Sequence, residues 1–491
     1  MHRGRRAPNP RAPRPTATFP PLIAVLVALA ALGAAAVPAG AAGPARDKYG
    51  GFESIGADAT GRFRVDRIDG VWWFVDPDGH GFFSSGLNNV NIAADFSFVT
   101  GNSPYLEQAL EAHGSAADWA AATTRRLRRW GVNTLGAFSL PNLFRGRVPY
   151  TVLLNFTQHA PIVGEPTPSA DTVRDFVGPW FDVAARAYAV EAASNCAADP
   201  WCIGVFTDNE PSWGRSVRQA TSFLLAYAAS VPGSDTKTAA QRFLERRYSG
   251  DIAAFNATWG TQLSNFDAFQ QLPRLPPDPG ALSVDQIEDD HAFRDVVARR
   301  YFRVTDAALR AVSQDLLNLG PRFDALNTPG KIYEIAGRSV DVISLNDYEY
   351  NPAVLAANAT NFGAEGFLFR QNPWDDLDTV ERLAERPILI TEFSYRASVP
   401  GGPLGTNPPA FVYSRDQAER AAQYRAYMAE LYSRPFVVGA HWFQLMDQPA
   451  AGRADGQDNN FGLVDIEDRP WRPLTDAFVA ESRALPGVRT R

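Results

Sequence analysis

Sulfur and imidazole are scarce in this chain: its 491 residues include 2 Cys, 3 Met and 6 His. With no His or Cys gathered around the two cysteines, a zinc-type metal site is not expected, nor is any cofactor. Positive charge is not in surplus either. The formal net charge of −7 argues against a nucleic-acid partner or an anionic membrane surface. Past the N-terminal region no apolar run is long enough to span a bilayer, so no stable membrane partner is expected of the mature chain. What is present has an ordinary globular balance, 45% hydrophobic and 21% charged, which excludes long-range disorder. The length suits one large barrel with decorations, or two domains. The oligomeric state is not legible.

The N-terminus reads as a targeting segment. Arg3, Arg5, Arg6, Arg11 and Arg14 precede an apolar core over 22–32, and Ala39-Gly40-Ala41-Ala42 makes a small-residue exit. Cleavage after Ala41 or Ala42 would release a secreted protein, extracellular or periplasmic. The alternative is an uncleaved anchor, since 21–37 nearly spans a bilayer. The expected divisions are therefore a signal and cleavage region over 1–42, an N-terminal segment with a β-hairpin over 43–80, and a catalytic barrel over 81–485. In an oxidising compartment Cys196 and Cys202 suit a local disulfide. Two partly buried thiols are the alternative.

From residue 62 onward, strand-like and helix-like segments alternate, which is the α/β pattern. The run 71–75 and the turn 76–81 suggest an opening hairpin. Strand-like runs follow at 81–88, 132–136, 150–155 and 202–206. A long helical insertion over 216–312 comes next, then further strands at 316–320, 341–346, 387–392 and 436–442. This order predicts a (β/α)8 TIM barrel with an N-terminal β-hairpin and a helical insertion after strand four. The Gly- and Pro-rich stretch 400–409 reads as a loop overhanging the barrel mouth.

Two carboxylates carry the chemistry. Glu210 closes the fourth strand in Thr207-Asp208-Asn209-Glu210-Pro211, and Glu392 closes the seventh in Ile390-Thr391-Glu392-Phe393-Ser394. Strand ends of a parallel barrel share one mouth, so the two face each other across it. Such a pair, about 5–5.5 Å apart, cleaves a glycosidic bond with retention. Glu210 is assigned as acid/base and Glu392 as nucleophile, with the acid's pKa raised beside a neighbour that stays charged. Structural salt bridges are the alternative for either glutamate alone.

Substrate-binding candidates surround them. Asn209 suits a bond to the sugar's 2-hydroxyl, or a turn-stabilising role. In His441-Trp442-Phe443-Gln444, at the end of strand eight, Trp442 offers a stacking platform or fills the core, with His441 and Gln444 beside it. Tyr348 is placed to donate to Glu392, and Glu349 nearby is a competing acid. Arg322 contacts Glu392 or the sugar, or forms a structural ion pair; Asn155 ends strand three. The polar run 447–460 lacks a full EF-hand pattern and reads as a sugar-contacting or solvated loop. The partner implied is a polysaccharide or oligosaccharide, to which aromatics at 12%, including 11 Trp, lend weak support.

These motifs resemble the large retaining (β/α)8 glycoside hydrolase clan that pairs Asn-Glu at strand four with Glu at strand seven. Within it the chain looks most like β-agarase family 50, and more distantly β-galactosidase family 42. The matching pieces include Phe206-Thr207-Asp208-Asn209-Glu210, Leu319-Gly320-Pro321-Arg322-Phe323, Thr391-Glu392-Phe393-Ser394 and Asn460-Phe461-Gly462-Leu463-Val464-Asp465. The resemblance implies hydrolysis of β-linked galactose units in an agarose-like galactan without a catalytic metal. Hydrolysis of a β-glucan or mannan, transglycosylation, and a non-catalytic polysaccharide-binding barrel are the alternatives.

Overall fold

The computed structural model describes residues 44–163, 173–213, 222–276, 282–348, 373–398 and 412–489. The segment 1–42, Glu349 and the loop 400–409 lie outside the described residues. Strands β1 (Phe52–Gly56), β2 (Arg64–Ile68), β3 (Val71–Val75) and β4 (His80–Phe82) form a four-stranded antiparallel sheet in the order β1-β4-β3-β2. More than a hairpin therefore precedes the barrel. Carboxylates fix its turns. Asp47 Oδ1 accepts the N–H groups of Tyr49, Gly50 and Gly51 at 2.8–2.9 Å, and Asp76 Oδ1 accepts those of Asp78 and His80 at 3.0 Å.

The main sheet is parallel. In chain order it begins with β5 (Ser84–Leu87), β6 (Thr134–Leu135), β7 (Tyr150–Leu153) and β8 (Cys202–Phe206). It continues with β9 (Phe323–Asp324), β10 (Ile343–Asn346) and β11 (Ile388–Phe393). After a short side pair, β12 (Arg396–Ala397) and β13 (Tyr413–Ser414), the last strand is β14 (Val437–Trp442). The spatial order is β8-β7-β6-β5-β14-β11-β10-β9. Backbone bonds join the two edges: Val205 N–H donates to Leu317 O at 3.0 Å, and Leu319 N–H to Val205 O at 2.9 Å. The fifth strand is thus in two pieces. Residues 317–320 pair with β8, the chain turns through Gly320 (φ 75°) and Arg322 (φ 47°), and β9 then pairs with β10. Eight parallel strands alternating with helices make this an α/β fold of the TIM type.

Between β8 and β9 run the helices Phe223–Ala228, Asp235–Arg247, Ile252–Trp259 and Val284–Val312. The last is started by a capping box of Ser283 and Gln286. Cys196, at the end of the helix Pro179–Ala198, is bonded to Cys202, the first residue of β8. Among the described residues no helix is long and apolar enough to cross a membrane.

Packing decides which end of the barrel is open. Ile203, Leu319, Val342, Leu389 and Val438 form one buried cluster with Phe74 and Phe82 of the antiparallel sheet and with Phe63, just before β2. That sheet therefore closes the end at which the strands begin, and the C-terminal ends are left for chemistry. A second cluster holds the outward-facing Ile388, Ile390 and Val437 against Tyr424, Tyr427 and Leu431 of the helix Gln417–Ser433. Inward and outward residues alternate along β11 because successive side chains of a strand point to opposite faces.

Candidate active site

A break in that alternation positions Glu392. Leu389 packs inward while Ile390 packs outward, so strict alternation would send residue 392 outward and residue 393 inward. The register of β11 shifts between Ile390 and Phe393 against β14, and β10 also slips at Asn346. Phe393 is consequently outward, its ring stacked on Tyr427 with centroids 4.6 Å apart. Glu392 faces the mouth. Bulges of this kind re-aim side chains beside active sites.

Once there, Glu392 accepts from Arg322 Nη2 at 2.7 Å and from Tyr348 Oη at 2.6 Å. Burial pushes its carboxyl above the usual carboxylate range, the Arg322 charge opposes that, and Glu210 adds to it. The two donors to Glu392 favour its charged form. Tyr348→Phe should therefore move the acid limb of the activity–pH profile to higher pH, because the ionised form loses a donor. A hydrogen bond to a charge is worth about 1.5–3 kcal/mol, so kcat should also fall roughly tenfold or more. A pH series on the variant checks both, and an unmoved acid limb would remove Tyr348 from this role.

Glu210 is reached through a turn. Asp208, just before it, is fully buried and pushed up to about 7 by burial. It accepts from the Thr157 N–H at 3.0 Å and the Thr157 hydroxyl at 2.6 Å, and bonds Tyr301 Oη. These bonds hold the strand end in place. Glu210 then takes a left-handed backbone, φ 49°, with its N–H on Arg322 O at 3.1 Å. Glu210 and Arg322 both occupy a conformation that costs a non-glycine residue about 1–3 kcal/mol, a feature that collects at functional sites. Asn346 Nδ2 donates to Glu210 Oε1 at 2.9 Å, while Asn346 Oδ1 accepts from the Thr391 hydroxyl at 2.8 Å. Glu210 is half-buried, whereas Glu392 is 7% exposed.

Arg322 links the two strand ends. It is fully buried, and Nη1 donates to Asn209 Oδ1 while Nη2 also reaches Thr391 O at 3.1 Å. The structure therefore brings together Asn209, Glu210, Arg322, Tyr348 and Glu392 from the sequence set.

The other expected positions fall elsewhere. Trp442 is fully buried, with its indole N–H on Phe461 O at 2.8 Å and its ring among Phe393, Tyr424 and Phe478. It fills the core between barrel and helices rather than offering a platform. His441 and Trp442 are neighbours on one strand and so cannot both face inward. His441 takes the inward side, at 2.8 Å from Ser84 Oγ, where burial and the Arg322 charge lower it to about 3 and keep it neutral. Gly86 makes room, since a Cβ there would lie 2.1 Å from the imidazole. Gln444 is buried too, accepting from Asn89 Nδ2 at 2.8 Å and donating to Asp95. Asp95 also faces Arg453 of the polar loop at 3.5 Å. Asn155 is half-buried where a 3-10 turn follows β7, its N–H on Tyr188 Oη at 3.0 Å. Sequence reasoning missed Asn346, Asp208 and Asp95. Asn346 ends a strand beside the others and was findable on that ground, but the Tyr301–Asp208 bond joins residues with no local signal.

No protein-family model matches the chain. β-Agarase A of Vibrio sp. (strain JT0107) is 28% identical over 469 residues, covering 83% of this chain and 44% of that protein. β-Agarase B of the same strain is 26% identical over 510 residues, covering 88% and 49%. The chain thus spans about half the length of the curated relatives it matches. Among solved structures, an agarase, AgWH50C, superposes with a TM-score of 0.74 at 25% identity, over 91% of this chain and 69% of that one. An exo-β-agarase superposes with a TM-score of 0.75 at 24% identity, over 91% and 67%. In sequence and in fold alike, this chain is similar to β-agarases.

Proposed function

We propose that this chain is a secreted, retaining β-glycosidase that hydrolyses β-galactosidic bonds in an agarose-like galactan. The observation that carries this reading is the asymmetric carboxylate pair. Glu392 is buried under two donors, and Glu210 stands half-open with one oxygen on Asn346. The first step needs a charged nucleophile and a proton donor on opposite sides of the bond. Glu392 attacks the anomeric carbon as the bond to the departing oxygen breaks, and Glu210 delivers its proton to that oxygen. In the second step Glu210 takes a proton from water, the water oxygen attacks the same carbon, and Glu392 leaves as carboxylate. Asn209, oriented by Arg322, is assigned to the 2-hydroxyl of the sugar. The similarity to β-agarases supports the galactan, and the basic, then apolar N-terminal run supports export.

The test is product release by the purified protein from agarose, porphyran, β-1,4-galactan and β-glucan, with anomeric configuration followed by NMR. Galactan products that first appear as the β-anomer are the expected result. Cleavage of glucan alone would overturn the substrate class, and first-formed α-anomer would overturn the two-step mechanism.

A further inference from the structure

Among the described residues, Phe138 is an exposed aromatic residue that touches the site's own hydrogen-bond network. It lies three residues beyond the end of β6, on the loop that leaves the open end of the barrel. Its ring lies against the Arg322 guanidinium, whose central carbon is 5.2 Å from the ring centroid. That guanidinium donates to both Asn209 and Glu392. Most large apolar side chains near these strand ends are buried, yet Phe138 is 43% exposed. It is also held at φ 62°, a left-handed backbone that disfavours a bulky residue. Burial in the core does not explain this position, because the residue is so far exposed. The loop is nonetheless fastened to its neighbour: Asn89 N–H donates to Ala137 O at 2.9 Å, Leu140 N–H to Val90 O at 3.1 Å, and Val90 N–H to Ser139 Oγ at 3.0 Å. A strained, fixed and exposed aromatic face beside the reacting groups is the pattern of a preorganised binding surface.

We infer that Phe138 is the aromatic face on which a sugar ring of the substrate packs beside the bond that is cleaved. A pyranose carries its hydroxyls mainly around the rim and leaves patches of C–H on its faces. A galactose ring, with its 4-hydroxyl axial, gathers these on one face, which complements an aromatic surface. Arg322 occupies one side of the Phe138 ring, and the exposed remainder takes the sugar. The platform expected of Trp442 is thereby supplied from the second barrel strand rather than the eighth. This inference rests on the glycosidase reading, and names the surface that fixes the sugar's orientation.

Phe138→Gly and Phe138→Tyr test it in the full chain, with kcat, KM, the pH profile and the melting temperature measured on the galactan that the wild type cleaves. Glycine relieves the left-handed backbone, so that variant should melt at or above the wild-type temperature. Its KM should nevertheless rise about tenfold, equivalent to about 1.4 kcal/mol of lost binding. Tyrosine should restore KM, and neither change should move the acid limb. An unchanged KM in the glycine variant would overturn the inference. So would a moved acid limb in the glycine variant, because Phe138 would then act by shielding Arg322 rather than by holding the sugar. Wild-type activity on the glycan panel separately decides the glycosidase reading. If the wild type cleaves none of the panel, direct titration of both proteins with galactan oligosaccharides reads the platform, and equal affinity or no binding overturns it.

Discussion

Glu392→Gln should abolish turnover, lowering kcat by roughly 10⁴–10⁶-fold, the scale on which removing a covalent nucleophile acts. Glutamine keeps the size and an acceptor for Arg322 but cannot form a glycosyl ester. Loss of the negative charge also leaves Arg322 facing a neutral group, in a site where the charge pair lies at 2.7 Å and is nearly closed to solvent. Substrate binding should survive, since Asn209 and Phe138 are untouched. The measurement is single-turnover kinetics beside a binding isotherm. A sharper readout comes from Glu392→Ala with added azide. The anion fills the vacated carboxylate space and attacks the anomeric carbon from the same side, giving a glycosyl azide of inverted configuration. Residual activity near the wild-type level in Glu392→Gln would sink the assignment.

Glu210→Gln should behave differently with different leaving groups. Departure of a sugar hydroxyl needs a proton, so activity on galactan should fall about 10²–10⁴-fold, the usual worth of general acid catalysis. An aryl β-galactoside with an acidic phenol departs unassisted, so its first step should be nearly spared. Hydrolysis of the intermediate would then become limiting, because the same residue must activate water. An initial burst of phenol followed by slow turnover is the expected trace. Equal losses on both substrates, with no burst, would remove Glu210 from the acid role. The two predictions are independent readouts of one arrangement: Asn346 and Arg322 O orient Glu210, while Arg322 and Tyr348 hold Glu392.

Much of the fold was legible in the sequence because strands and their ends are local. Cys202-Ile203-Gly204-Val205-Phe206 is a continuous apolar run that ends at the polar Thr207-Asp208, and it is β8. The run ending at Glu392 is β11, and 437–442 is β14. A strand buried on both faces leaves this signature whatever its neighbours are. The fifth strand was harder. The run 316–320 looks continuous, yet the hydrogen-bonded strand divides at Gly320 and Arg322, because one part pairs with β8 and the other with β10. Pairing partners are not written in the local pattern.

Local sequence was enough for the alternation of strands and helices, for Glu392 in the seventh barrel strand and Glu210 just past the fourth, and for a cysteine pair close enough to bond. Each of these depends on neighbours within a few residues. Which way the side chains face was settled only when the strands paired. A register shift in β11 turns Glu392 inward and Phe393 outward, while β14 sends His441 inward and Trp442 into the core. The tertiary structure also decided the partners, with Asn346 on Glu210, Tyr301 on Asp208 and Phe138 over Arg322. The reason is that facing is set by register between strands and contact by barrel closure. Both join residues far apart in the chain, at a separation of 93 for Tyr301 and Asp208 and 136 for Asn346 and Glu210.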